Sequence, residues 1–484
     1  MRFLFGCGPS DRDARVSAGS LSRRALLQAA GGAAVASAGL VASGCDTADE
    51  SRSRPRADGS WANWSGSQTA RPRTWLIPAN EPDLANEVRR ATGPVRVVGA
   101  GHSFSPVVVT DETLVSLDDL SGIVEHDPAT QQATIWAGTR LHALGDPLWE
   151  RGQAFVNQGD IDKQSLGGAV GTSTHGTGVG LGSFSAAVRG IRMVTASGEV
   201  LECGPARDAD VFHAACTSMG TLGIVTQLRM QNRARYALRE RSYTAPLADV
   251  LRDHDRLIAA HRHFEFWAFY AAELALVKTL DEAPVDATPT EPPAVPLPID
   301  LVLRSASELA HGVPAFAGSL QRLLAALAPD ETRVDRSYRI YPSPRATRFN
   351  EMEYELPLAH GPDCLREILD TVRARGITTL FPLEYRTVAA DDCWLSPFYG
   401  RASVSISIHQ YYKADYRELF AVIEPIFWRY DGRPHWGKLH TLEAEELAEL
   451  YPKWDAFHAV RRRLDPQGKL LNPHLRRCFE VAAA

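Results

Sequence analysis

One stretch constrains this chain more than any other. It runs Asn157-Gln-Gly-Asp-Ile-Asp-Lys-Gln-Ser-Leu-Gly-Gly-Ala-Val-Gly-Thr-Ser-Thr-His-Gly-Thr-Gly178, and it is crowded with Gly, Ser and Thr. Glycine removes the Cβ that would keep the backbone away from a large polar ligand, while amides and hydroxyls satisfy that ligand's oxygens. The run is too long and too ordered in type to be a flexible linker. A second glycine loop, Val98-Gly99-Ala100-Gly101-His102-Ser103, follows a short apolar strand expected at 95–98, so its amides can point outward as a cradle for phosphate. It is not a dinucleotide fingerprint. The sixth position lacks glycine, and no βαβ unit with a well-placed acidic residue follows. Alone, the loop would leave His102 a satisfied structural histidine; the second glycine-rich segment shifts that balance.

Around these loops the pattern is that of an α+β chain. The 484 residues suffice for two domains or one bilobal one. Asn80-Glu81-Pro82 opens a helix to about residue 91, Thr139 is expected to cap a helix through Leu148, and Ala196-Ser197-Gly198 marks a hairpin between strands 189–195 and 199–203. Beyond Arg235 the character changes. Helices are expected at 247–260, 306–327 and 363–375, and strands at 264–270 and 402–409 have the two-residue period of a sheet with one covered face. His261 and His263 read as a solvated helix end, there being no further ligand group at metal spacing.

Charge and cysteine content exclude several functions. Lys plus Arg number 52 against 58 Asp plus Glu, without a basic stripe, which argues against a nucleic-acid partner. Seven cysteines with no C-x-x-C pair give neither a disulfide framework nor a zinc ribbon. At the other end, Arg23-Arg24 precedes an Ala/Gly/Val/Leu run that closes on Ser43-Gly44-Cys45, the pattern of a twin-arginine export signal. Residues 1–45 are read as that signal, with a periplasmic or cell-surface destination, and Cys45 as the candidate for a lipid anchor of the lipoprotein type. Residues 46–70 are read as a linker.

With these pieces in place, the chain resembles the FAD-linked oxidases of the vanillyl-alcohol-oxidase type, and among them the sugar-1,4-lactone oxidases and alditol oxidases. The resemblance rests on Gly-Ala-Gly-His-Ser (99–103), Gly-Asp-Ile-Asp-Lys-Gln-Ser-Leu-Gly-Gly (159–168), Thr-His-Gly-Thr-Gly (174–178), Gly-Thr-Leu-Gly-Ile-Val-Thr (220–226), Glu-Tyr-Arg (384–386) and His-Trp-Gly-Lys (435–438), in family order. It implies a two-subdomain FAD-binding domain over 71–235, a sheet-and-helix cap or substrate domain over 236–430, and a C-terminal segment, 431–484, that returns to the flavin.

The resemblance also implies site residues. Gly99, Ala100, Gly101, His102, Ser103, Gly159, Asp160, Ser165, Gly168, Ala169, Val170, Gly171, Thr172, Ile224 and His435 correspond to FAD contacts, and His102 to the residue commonly bonded to the flavin. Gly159 stands where a small residue admits dioxygen; related dehydrogenases carry alanine there, and the plain alternative is a glycine needed for its backbone. Glu384, Arg386 and Lys438 correspond to the catalytic set. Glu384 and Arg386 alternate on one strand and so share a face. Lys438 could otherwise be ion-paired to a carboxylate such as Glu384. The implied reaction moves a hydride from a sugar lactone to the flavin, with dioxygen as acceptor. Alditol oxidation, another acceptor, and a non-enzymatic exported flavoprotein stand as alternatives. Glu384, neutral Lys438 and an ordered water are the candidates for the base. Gly432 to Lys438 also fits most of a phosphate loop, but Leu439 stands where Ser or Thr must meet magnesium.

Overall fold

The computed structural model describes residues 53–291, 299–328, 330–343, 345 and 347–480. The expected export signal and Cys45 lie outside these residues. Among them, no helix is long and apolar enough to cross a membrane.

Two sheets build the first half. Thr74–Leu76, Thr113–Ser116 and Val95–Val98 form a parallel three-stranded sheet, with Thr113–Ser116 in the middle. Val200–Cys203, Val188–Val194, Ile224–Gln231, Gln132–Trp136 and Ile123–Asp127 form an antiparallel five-stranded sheet in that spatial order. Helix Glu81–Arg90 starts where Asn80 accepts from the Asp83 amide, with Pro82 in its first turn, and packs Leu84 and Val88 into a core shared with Val95 and Val115. The hairpin at 196–198 forms as expected. The Thr139 helix does not. The Thr139 hydroxyl instead donates to the Trp136 carbonyl at 2.6 Å and accepts from the Gly122 amide, fixing a turn, and the helix begins only at Gly145.

The second half is an antiparallel sheet of eight strands in the order Glu331–Arg336, Ala237–Pro246, Leu274–Ala283, His263–Ala268, Leu383–Val388, Ser403–Tyr411, Phe349–Pro357 and Arg433–Pro434. Its register carries the sequence alternation across the strands. On one face lie Phe266, Val277, Tyr385, Ile406 and Tyr354, backed by helices Gly361–Arg375 and Arg417–Arg429. Phe266 stacks on Tyr385 at 4.6 Å, and Tyr354 on Phe427 at 4.8 Å. The other face is polar, but it does not meet solvent: every residue of Leu383–Val388 and Ser403–Tyr411 is buried. The expectation of one covered face is thus corrected. The polar face is buried because the glycine-rich segments of the first half close over it.

Three further expectations change. The helix at 247–260 is two, Leu247–Arg252 and His254–Ala260, divided at Asp253. The helix at 306–327 is also two, Ile299–Gly312 and Ala317–Leu327, because Pro314 lacks an amide to continue the ladder. The linker reading fails for the described residues 53–70. Trp61–Ala62 pairs with Thr69–Ala70, Trp61 and Asn63 are buried, and the Trp64 amide donates to the Gly101 carbonyl at 2.8 Å. Large aromatic rings need cover, and the first glycine loop supplies it.

Candidate active site

Two cavities meet at His102, Ser103, Gln164 and Thr172. The larger, about 1050 Å³, is bounded by the loops around 97–103 and 137–140, the segment 164–172 and residues near 218–220. Glycine is needed where these loops touch. A Cβ on Gly99 would collide with Ser165 Oγ, and Gly101 sits at φ +69° with Trp61 beneath it. Ser165 caps the short helix Leu166–Gly171 by accepting from the Gly168 amide at 3.3 Å. Arg140 and Asp118 pair at 2.8 Å on the wall. The result is a mostly apolar chamber with backbone amides, hydroxyls and one guanidinium at set points, a lining suited to a dinucleotide such as FAD.

Of the expected cofactor residues, Gly99, Ala100, Gly101, His102, Ser103, Ser165, Gly168, Val170, Gly171 and Thr172 line this cavity, and Gly159, Asp160 and His435 line the second. Ala169 and Ile224 line neither. Both side chains are in hydrophobic core, so they serve the walls from behind. His102 stacks on Trp64 at 5.6 Å. Burial, with the charges of Arg140, Lys438 and Lys163, lowers its pKa to about 4 and keeps the ring neutral at neutral pH.

The second cavity, about 640 Å³, lies over the polar face of the eight-stranded sheet. Register explains who meets there. Glu384 lies opposite Ser407 and Arg386 opposite Ser405, and on the next strand Glu353 and Glu355 face the same serines while Glu351 faces His409. Arg386 is gripped by Glu384 at 2.5 Å, Glu265 at 2.9 Å and Asp160 at 3.3 Å; Asp160 is also paired with Lys278 and Arg345. Burial disfavours the guanidinium, but Glu384, Asp160 and Glu265 outweigh it and hold its pKa well above the ordinary value. The same cations pull Asp160 below the carboxylate range against its burial.

Lys438 arrives from the C-terminal loop. It pairs with Glu351 and, at 3.3 Å, with Glu353, so its partner is not Glu384. Burial works against its charge, yet the two carboxylates raise its pKa above that of free lysine. Lys438 is therefore an ammonium, which removes it as a neutral base. Against burial, Lys438 and His409 bring Glu351 down to about 2, and Lys438 with the His175 hydrogen bond takes Glu353 well below the usual range. Burial and the Glu353 charge push Glu355 the other way, well above it. His435 accepts the Gly437 amide at Nδ1, which places its proton on Nε2; burial lowers its pKa to about 4.

Gly159 has a packing duty as well. A Cβ there would stand 2.8 Å from the His175 carbonyl oxygen. His263 is not solvated: it lies buried on a strand, with Nδ1 on the Thr177 carbonyl and Nε2 on the Tyr341 hydroxyl. The site residues that sequence reasoning missed are Glu351, Glu353, Glu355, Glu265, Lys278 and His175. The strict alternation Glu351-Met-Glu353-Tyr-Glu355-Leu carries a signal for three of them, a carboxylate row on one face of an otherwise apolar strand.

The family model for D-arabinono-1,4-lactone oxidase matches residues 228–478, and the FAD binding domain model matches residues 72–204. The chain belongs to the sugar-1,4-lactone oxidase family. The L-gulono-1,4-lactone dehydrogenase of Mycobacterium tuberculosis is 36% identical over 86% of this chain and 98% of its own length. The alditol oxidase of a Streptomyces species is 30% identical over 86% of this chain and 97% of its own. In fold, the chain matches the cholesterol oxidase of B. sterolicum with a TM-score of 0.71 at 17% identity, over 87% and 96% of the two chains. The vanillyl-alcohol-oxidase-type architecture and the FAD-binding role of the first half follow. Like others of this lactone oxidase family, the chain is an oxidoreductase.

Proposed function

We propose that this protein oxidises a five- or six-carbon aldono-1,4-lactone at a secondary hydroxyl, with dioxygen as acceptor and hydrogen peroxide as product. The observation that carries this reading is the second cavity itself: cations and carboxylates alternate around a polar pocket that opens onto the FAD chamber, a lining suited to a compact polyhydroxylated ligand. Bound FAD supplies the hydride acceptor. Lys438, fixed as an ammonium by Glu351 and Glu353, donates to the substrate oxygen and holds negative charge there. Arg386 does the same from the strand Leu383–Val388 and orients Glu384. With Lys438 cationic, the hydroxyl proton passes to a Glu384 carboxylate oxygen. The neutral His102 imidazole supports a covalent bond to the flavin, and Arg23-Arg24 with Cys45 support export with a lipid anchor.

A second reading of the acceptor has its own support. Gly159 is required against the His175 carbonyl, so it does not by itself speak for oxygen access, and the M. tuberculosis relative is a dehydrogenase. The deciding experiment screens lactones and alditols with the yellow protein, following peroxide and dye reduction in parallel, and repeats it for Glu384→Gln. Lactone turnover with peroxide, lost about 100-fold or more in the variant, is expected. Turnover of alditols alone, or dye reduction without peroxide, overturns the substrate or the acceptor respectively.

A further inference from the structure

Outside both cavities, His440, His474 and Cys478 bring their ligating atoms within 4.8 Å of one another. His474 and Cys478 are four residues apart on helix Pro473–Phe479, hence on one face, with Sγ 3.8 Å from each imidazole nitrogen of His474. Both are buried. His440 comes from the loop two residues after Lys438, and its ring lies 6.1 Å from that of His474. Beyond a weak electrostatic contact with the Leu442 backbone, neither nitrogen of His440 has a hydrogen-bond partner, although both are shielded from solvent. Packing against Trp436 explains the ring's position, but at most one of its two polar atoms has a partner, the Leu442 backbone.

The geometry points to a site for one borderline-soft divalent cation of the zinc class, bound by His440, His474 and Cys478 with water in the fourth position. Two imidazoles and a thiolate are the donors such a cation prefers. Bond lengths of about 2.0–2.1 Å to nitrogen and 2.3 Å to sulfur put a nitrogen and a sulfur about 3.6 Å apart at a tetrahedral angle, a few tenths of an ångström inside the 3.8 Å that separates His474 and Cys478. A turn of the His440 ring closes the third side. The thiol gives its proton to solvent as the thiolate binds. Two arginines stand nearby and neither blocks the site. Arg477, 3.4 Å from His474 Nδ1, is half-exposed and paired with Glu443, so it can swing away and leave Nε2 to the cation. Arg96 is committed to the carbonyls of Val107, Met219 and Leu470. The bound cation would tie the C-terminal helix to the loop that carries His435 and Lys438.

This inference does not depend on the substrate or the acceptor. Flavin-loaded protein without a polyhistidine tag is incubated with zinc, dialysed and assayed for metal, and then reloaded with cobalt. One zinc per chain is expected, with cobalt ligand-field bands on the red side of the flavin absorption and a zinc-dependent rise in thermal midpoint. His440→Ala, His474→Ala and Cys478→Ser should each weaken zinc binding at least tenfold; His440 is partly exposed, and its variant tests the site even where the helix variants fold poorly. Failure of the wild-type chain to take up stoichiometric zinc, or uptake indifferent to all the variants that fold, overturns the site.

Discussion

Gly159 shows how one position can carry two explanations that a single substitution separates. In the sequence it sits where a missing side chain could open a path for oxygen, and in the structure the His175 carbonyl oxygen occupies the space a Cβ would need. Gly159→Ala is therefore expected to cost about 1–3 kcal/mol of stability, the range for forced overpacking. Thermal or denaturant unfolding measures that cost, and reoxidation of the reduced protein by air measures the other effect. A fully stable variant that no longer consumes oxygen would return the residue to an oxygen-access role. Lys438 is a similar case. The motif placed it in the site, but only the neighbouring strand reveals that Glu351 and Glu353 fix its charge, since those residues lie about 85 positions away in the chain. Ion pairs across strands depend on register, and register is not legible in the alternation of one strand.

Among the elements, the short ribbon before residue 71 departs most from its sequence reading. Its Ser/Arg/Asp-rich lead-in suggested a linker, whereas Trp61 and Trp64 are the residues that decide its fate. Trp61 lies under Gly101, Trp64 stacks on His102, and Asn63 and Gln68 donate to the carbonyls of Ser103 and Phe104. The ribbon thus holds the loop that presents His102. Aromatic stacking of this kind contributes about 0.5–1.5 kcal/mol, so Trp64→Ala should leave the fold intact and weaken the uptake of flavin that precedes any covalent bond up to about tenfold. Titration of the flavin-free variant with FAD, followed by flavin fluorescence, reads the loss; unchanged uptake would confine the ribbon to a packing role. Elsewhere the elements were largely legible, because apolar periodicity and a capping residue such as Asn80 act locally. The helix divided at Pro314 was legible in principle from the proline. The break at Asp253 has no comparable local signal, and it follows from packing of the two short helices against separate strands.

Across the whole molecule, the buried histidines set a common response to acid. Burial is the largest cause lowering His102 and His435 to about 4, and His263 and His458 to about 3. In the unfolded chain each titrates near about 6.5. Below that pH the unfolded state takes up protons that the folded state refuses, so the stability these groups contribute is fully present above 6.5 and is lost as pH falls toward 4 and 3. Each histidine contributes a slope of up to about 1.4 kcal/mol per pH unit while only the unfolded form is protonated. Glu351, held near 2, adds a loss of the same sign below the ordinary carboxylate range, whereas Glu355, pushed well above that range, and Asp391, raised by burial to about 7, oppose it by releasing protons on unfolding. Unfolding near pH 5 should then absorb roughly two to four protons, and the thermal midpoint should drop between pH 6.5 and 4. Calorimetry across that range tests the set together. A flat midpoint down to pH 4.5 would mean that the rings are already protonated in the fold, and the neutral His102 imidazole that supports the covalent flavin bond would go with it.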